Sequence, residues 1–213
     1  MNNYTAIDEL DPIKYYSWPV FGKYYWQRVG IALAECKGGK RILEIGFGSG
    51  ITFSSLLEKY EVVYGVEQQN GKSISNIKKT AVNKEDNIYL ISGDAFFLPF
   101  PSTFFDTILL ISVIEHFHPT ALDQFFKEIH RVLSKQGELV YGVPVDNLIT
   151  RFGFRFLDKD IKHHHLSNEK QIEDSAKNFL SQAEKKRVNF LIPTHFRSNF
   201  FSIYEVIRWK KTN

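Results

Sequence analysis

Residues 41–58 read RILEIGFGSGITFSSLLE. An apolar run meets three glycines at alternate positions, and a helix-like run follows directly. Few folds accommodate such a junction. The strand must turn into a helix with no side chains at the turn, which brings backbone N–H groups and a helix start close to a ligand. Glycine matters there because a side chain would block that approach. The arrangement belongs to α/β sheets that hold a nucleotide-like group at the carboxyl ends of parallel strands.

The spacing narrows the ligand. The dinucleotide fingerprint G-x-G-x-x-G/A fits Gly46 and Gly48, but its third place falls on Ile51. The third glycine comes one residue early, at Gly50. This disfavours an NAD-dependent oxidoreductase. No G-K-[ST] follows, so the loop is not a P-loop. What stands is E-x-G-x-G-x-G, from Glu44 to Gly50.

Strand-like and amphipathic runs alternate around this loop, as in a parallel sheet with crossover helices. Expected strands cover 41–45, 61–66 (EVVYGV), 87–92 (NIYLIS), 105–112 (FDTILLIS) and 138–143 (ELVYGV). The fourth is nearly all apolar, so it belongs at the sheet centre, buried on both faces. Helices are expected over 49–59 and 71–82, and along Leu122, Phe125, Phe126, Ile129, Val132 and Leu133, with Gly137 as the last one's cap. Beyond Pro144 the chain turns polar. Residues 168–186 suggest a helix with Ile172, Ala176, Phe179 and Leu180 on one face, capped by Ser167 or Asn168. Two final strands, 187–193 and 199–209, suggest an antiparallel pair across THFRS. Before residue 40, an aromatic stretch predicts one or two helices broken near Pro19 and Gly22.

The chain has 213 residues, 43% of them hydrophobic and 24% charged, which suits one globular domain. A net charge of +3 is too small to argue for nucleic acid or an anionic membrane. The single cysteine, Cys36, excludes an internal disulfide and a cysteine-built zinc site. Neither a signal peptide nor an 18-residue apolar run is visible, so a cytoplasmic protein with no membrane span is expected. The 19 Phe and 10 Tyr predict a Phe-rich core or an aromatic pocket.

Glu44-Ile45-Gly46-Phe47-Gly48-Ser49-Gly50 resembles motif I of class I S-adenosylmethionine-dependent methyltransferases. Glu67 follows at the end of the second strand, 21 residues after Gly46, and Asp94 at the end of the third. FFDTILLISVIEHFHP and FFKEIHRVLSKQGELVYGVP resemble the family's later segments, so the match runs from about Arg41 to Pro144. It is most similar to the small-molecule branch called methyltransferase type 11. The resemblance implies a Rossmann-like, seven-stranded sheet in the order 3-2-1-4-5-7-6, strand seven antiparallel, with helices on both faces. It implies S-adenosyl-L-methionine as cofactor. Glu44, Gly46, Phe47, Gly48 and Gly50 would line its methionine and ribose. Glu67 would hold the ribose hydroxyls, Gln68 would flank the adenine, Asp94 and the Ala95 backbone would hold the adenine edge, and Ser112 and Val113 would border the methionine.

Methyl transfer needs alignment of nucleophile, carbon and sulfur more than elaborate chemistry, and a base only for a weakly acidic acceptor. Candidate bases are Glu115, His116 and His118 after the fourth strand, and His165 in the KHHHLS run. Some quinone-precursor O-methyltransferases read E-x-x-E-H here and bind a divalent metal. Ser112 stands at the first of those places, so no metal is expected. No N-P-P-[FY] follows, which disfavours methylation of nucleobase or glutamine amino groups. A small organic acceptor methylated at oxygen is the leading expectation. A non-catalytic S-adenosylmethionine-binding protein is the alternative from another class. One domain spanning 1–213 is expected: a helical lid segment (1–40), a cofactor core (41–144) and an acceptor-side insert with the last two strands (145–213).

Overall fold

The computed structural model describes residue 16 and residues 21–68, 87–146, 165–189 and 202–212. The expected helix at 71–82, the histidines 163 and 164, the link 194–198, and Tyr15 and Trp18 lie outside the described residues. In chain order the elements are α1 (Phe21–Glu35), β1 (Gly39–Ile45), α2 (Phe53–Leu57), β2 (Tyr60–Glu67), β3 (Ile88–Ser92) and β4 (Phe105–Ile111). Two short 3₁₀ helices follow, Ile114–His116 and Pro119–Ala121. Then come α3 (Leu122–Val132), β5 (Leu133–Pro144), α4 (Glu169–Ala176), β6 (Leu180–Asn189) and β7 (Ser202–Lys211).

The seven strands form one sheet in the order β3-β2-β1-β4-β5-β7-β6. Neighbours from β3 to β5 pair in parallel, and β7 runs antiparallel to both β5 and β6. This is the expected order. Its cause is visible in the alternation of side chains along the central strands. Leu43, Ile108, Leu110, Leu139 and Tyr141 point to one face, where Phe125, Phe126 and Ile129 of α3 and Ile172 of α4 cover them. Ile42, Leu109 and Val140 point to the other, against Ala32 of α1 and Phe53 and Leu56 of α2. Phe105, Ile108, Leu109 and Leu110 are all fully buried, so β4 sits at the centre between two covered faces. Much of the aromatic content goes into packing. Phe96, Phe117, Phe125 and Phe126 pack in one cluster and Tyr64, Phe100, Phe104 and Phe105 in another, mostly edge to face.

Four expectations need correction. Gly137 does not cap α3: the helix ends when Leu133 turns extended (φ −64, ψ 138), and Leu133 already pairs with Phe105. The polar run 180–186 is not helix: it opens edge strand β6, which runs on into the expected strand at 187 and is held by its ladder to β7. Its Lys and Glu residues read as a helix face, yet charged side chains are also what an exposed sheet edge carries. α2 begins at Phe53 rather than Ser49, because Gly46, Gly48 and Gly50 all adopt positive φ and keep the chain out of a helix until residue 52. Gly22 lies inside α1 and does not break it.

Candidate active site

The carboxyl ends of β1, β2 and β4 converge on the glycine loop. Gly46, Gly48 and Gly50 have φ of 70°, 51° and 68°. A Cβ on Gly46 would stand 2.4 Å from Val113 Cγ2, so the loop and the mouth of β4 are in contact. A Cβ on Gly48 would meet nothing within 4 Å, so the surface above this residue is open. The three glycine N–H groups are all engaged within the protein. Gly46 donates to Val66 O (2.8 Å), Gly50 to Phe47 O (2.8 Å), and Gly48 to Glu67 Oε2 (3.2 Å). The glycine N–H groups, expected close to a ligand, are thus already bonded within the protein. The loop offers a ligand space and carboxylate oxygens more than donors, which does not suit a pyrophosphate.

Glu44 lies beneath the loop, 4% exposed, with Thr52 Oγ1 donating to its Oε2. Burial pushes its carboxyl up to about 8, against the lowering effect of the Thr52 hydrogen bond. It braces the turn from below. Phe47 also turns inward, packing on Phe53 and against Gly65, so only its backbone faces the loop. Glu67 is half-buried at the tip of β2, and its second oxygen, Oε1, accepts from the N–H of exposed Gln68 (3.0 Å). Gly93 N donates to Glu67 O (3.1 Å), which sets the end of β3 beside the end of β2. Asp94 is exposed there, its Oδ1 taking the Phe96 N–H (2.9 Å), with Ala95 half-buried beside it.

At the mouth of β4, Ser112 adopts a φ of 56°, unusual for a side chain with a Cβ. Its Oγ lies 3.0 Å from Tyr204 Oη and accepts from Arg28 Nη1 at 2.9 Å. Arg28 arrives from α1, 7% exposed, with its guanidinium 4.2 Å from the Tyr25 ring centre and 5.6 Å from that of Tyr204. Its Nε is buried with no hydrogen-bond partner among the described residues. Sequence reasoning missed Arg28. The available signal was a cation in the aromatic helix, aligned with Tyr25 and Val29 on the buried side.

Past Val113, the chain makes a 3₁₀ turn that buries Glu115 (2% exposed) and leaves His116 exposed. The half-buried His165 comes to the same place from the segment before α4. Its ring centre is 5.4 Å from that of His116. The docking is made by backbone: Leu166 N and Ser167 N both donate to Glu115 O, at 2.9 and 3.1 Å. His116 and His165, two separate sequence candidates, are thus neighbours. Burial raises the Glu115 carboxyl to about 8, with the nearby Arg28 charge opposing that shift. His118 is elsewhere: its Nδ1 pairs with Thr120 Oγ1 and caps the next 3₁₀ turn.

Comparison with known proteins places this geometry. The family profile described as a methyltransferase domain matches residues 43–141. An uncharacterized methyltransferase of Geobacillus thermodenitrificans is 29% identical over 106 residues, 50% of this chain and 47% of that protein. A ubiquinone/menaquinone biosynthesis C-methyltransferase of Vibrio cholerae is 26% identical over 145 residues, 63% of this chain and 55% of that protein. The matched region thus spans about half the length of these relatives. The PH0226 protein of Pyrococcus horikoshii shares the fold at a TM-score of 0.71 and 20% identity, covering 95% of this chain and 97% of that one. The N-methyltransferase NodS of Bradyrhizobium japonicum, solved with S-adenosyl-L-homocysteine, shares it at 0.71 and 15%, covering 98% and 95%. Sheet order, glycine loop and profile agree: residues 43–141 match the methyltransferase domain, on a fold shared with S-adenosylmethionine-dependent methyltransferases.

Proposed function

We propose that this chain moves the methyl group of S-adenosylmethionine to oxygen on a small or medium organic acceptor. The observation that carries the reading is the pairing of Glu67 with the Gly48 N–H beside open space, at the carboxyl edge of a sheet of this order. A carboxylate accepts about four hydrogen bonds, so Glu67 retains capacity for both ribose hydroxyls. Asp94, the Ala95 backbone and Gln68 would hold the adenine. Gly46, Phe47, Gly48 and Gly50 would line the methionine tail by their backbones, with Ser112 and Val113 on its other side and Glu44 bracing the turn. The buried charge of Arg28 suits the tail's carboxylate.

The transfer is an in-line displacement. An acceptor oxygen lone pair forms the new bond to the methyl carbon, the carbon–sulfur bond breaks, and its electrons neutralise the sulfonium to a thioether. The acceptor's proton must leave, and His116 or His165 is placed to take it. A second reading, transfer to carbon, is favoured by the likeness to the Vibrio C-methyltransferase. Residues 1–40 and 145–213 would shape the acceptor pocket as lid and insert. The lone buried Cys36 fits a reducing cytoplasm.

Calorimetry separates the classes. S-adenosylhomocysteine should bind at micromolar level and NAD should not; the reverse result sinks the reading. An acceptor screen with methyl-labelled donor then tests the chemistry. Label recovered on carbon would replace the oxygen assignment, and no transfer despite tight donor binding would favour a binding protein.

A further inference from the structure

We propose that Glu115, His116 and His165 form a site for one divalent first-row transition-metal ion of the zinc type. One ligand atom from each lies within 4.8 Å of the other two. Donors about 2.0–2.1 Å from a shared ion stand roughly 3.4 Å apart, so small side-chain rotations close the set. The positions are prepared by the fold. Glu115 O receives two N–H groups from the segment carrying His165, Ser167 Oγ donates to Phe117 O at 2.6 Å, and His116 N donates to Val113 O at 3.1 Å. A second observation points to a cation. Glu115 is 2% exposed, and its Oε2 is buried with no hydrogen-bond partner among the described residues. A buried carboxylate oxygen in that state is costly unless a positive group meets it.

The donor set selects the ion. Two imidazoles and one carboxylate suit zinc, cobalt, nickel or iron(II), whereas magnesium and calcium prefer oxygen alone. The set also differs from an E-x-x-E-H site, which would use the residue at 112. Here that residue is Ser112, and its Oγ is tied to Arg28 and Tyr204. The third donor comes instead from a segment 50 residues further along the chain (165 − 115). Three protein ligands leave a four-coordinate ion at least one open position. If the oxygen-transfer reading holds, that position suits an acceptor hydroxyl, whose proton a metal ion makes easier to lose; with the ion bound, His116 and His165 act as ligands in place of the base role given them above, and the proton passes to solvent. This role rests on the proposed function; the binding itself does not.

The test uses the full chain, stripped with chelator and titrated with cobalt(II), read by visible absorption, and with zinc(II), read by calorimetry. One ion per chain is expected, with His116→Ala and His165→Ala each weakening it at least tenfold and His118→Ala leaving it unchanged. S-adenosylhomocysteine affinity of the same variants, measured without metal, reports that the fold is intact. A stoichiometry below one, or equal affinity in the wild type and the His165→Ala variant, overturns the site. Failure of S-adenosylhomocysteine to bind the wild type overturns the methyltransferase reading while leaving the metal result to stand or fall alone.

Discussion

Gly46 carries two constraints that a single methyl group would break. Its φ of 70° is strained for any residue with a Cβ, and that Cβ would lie 2.4 Å from Val113 Cγ2. Gly46→Ala should therefore destabilise the fold by about 1–3 kcal/mol, from left-handed strain and overpacking together. Denaturant melts check this, and a loss under 0.5 kcal/mol would mean that Val113 moves aside. Glu67 is proposed to act on the ligand as well as on the loop, whose Gly48 N–H it accepts. Glu67→Ala should weaken S-adenosylhomocysteine binding by about 1–3 kcal/mol, the value of a charge-assisted hydrogen bond lost at a ribose. An unchanged dissociation constant would remove Glu67 from the site. Both residues were legible in the sequence, because a glycine loop and a strand-end carboxylate announce themselves by spacing. Glu44 was legible as part of the motif, but its inward-facing role was not. That depends on Thr52, which spends its hydroxyl on Glu44 and caps nothing.

At the scale of elements, α1 matters for what it delivers. It presents Arg28 to Ser112 across 84 residues of sequence. No local pattern reports such a distance, so the sequence showed an aromatic helix and hid its cation. Arg28→Met should weaken S-adenosylhomocysteine at least tenfold and leave 5′-methylthioadenosine, which lacks the carboxylate, within about twofold. Equal losses for the two ligands would mean that Arg28 only supports packing. α4 is the complementary case. Asn168 and Gln171 form a complete capping box, with Gln171 N donating to Asn168 Oδ1 at 2.9 Å and Asn168 N to Gln171 Oε1 at 3.0 Å. The cap was readable as Ser167 or Asn168; what it anchors was not. Just before that cap, Leu166 and Ser167 hold His165 against His116 through backbone bonds to Glu115, a pairing between distant segments. Asn168→Ala should cost about 1 kcal/mol of stability. A neutral result in thermal melts would show that α4 is held by packing of Ile172 and Ala176 alone.

The whole molecule stores one consequence of building a loop over a buried acid. The strand order was legible because alternation along β1, β4 and β5 admits only a two-faced sheet, and the family resemblance ordered it. The pH response was not, since it depends on what the fold lays over Glu44. Glu44 is nearly sealed beneath the turn, and burial raises its carboxyl to about 8, with the Glu67 charge adding to the rise. An unfolded chain would titrate this group near 4.3. Between those values the native state holds a proton that the unfolded state has released. Stability from this source is therefore complete below about pH 4 and is lost as pH rises to about 8. The slope is at most about 1.4 kcal/mol per pH unit. Glu44→Gln keeps the shape and removes the titration, so it should lose less stability than the wild type over pH 5–8. Denaturant melts of both proteins across that range decide it. Parallel curves would mean that Glu44 stays ionised in the fold, and the loop would then rest on a buried charge rather than on a neutral acid.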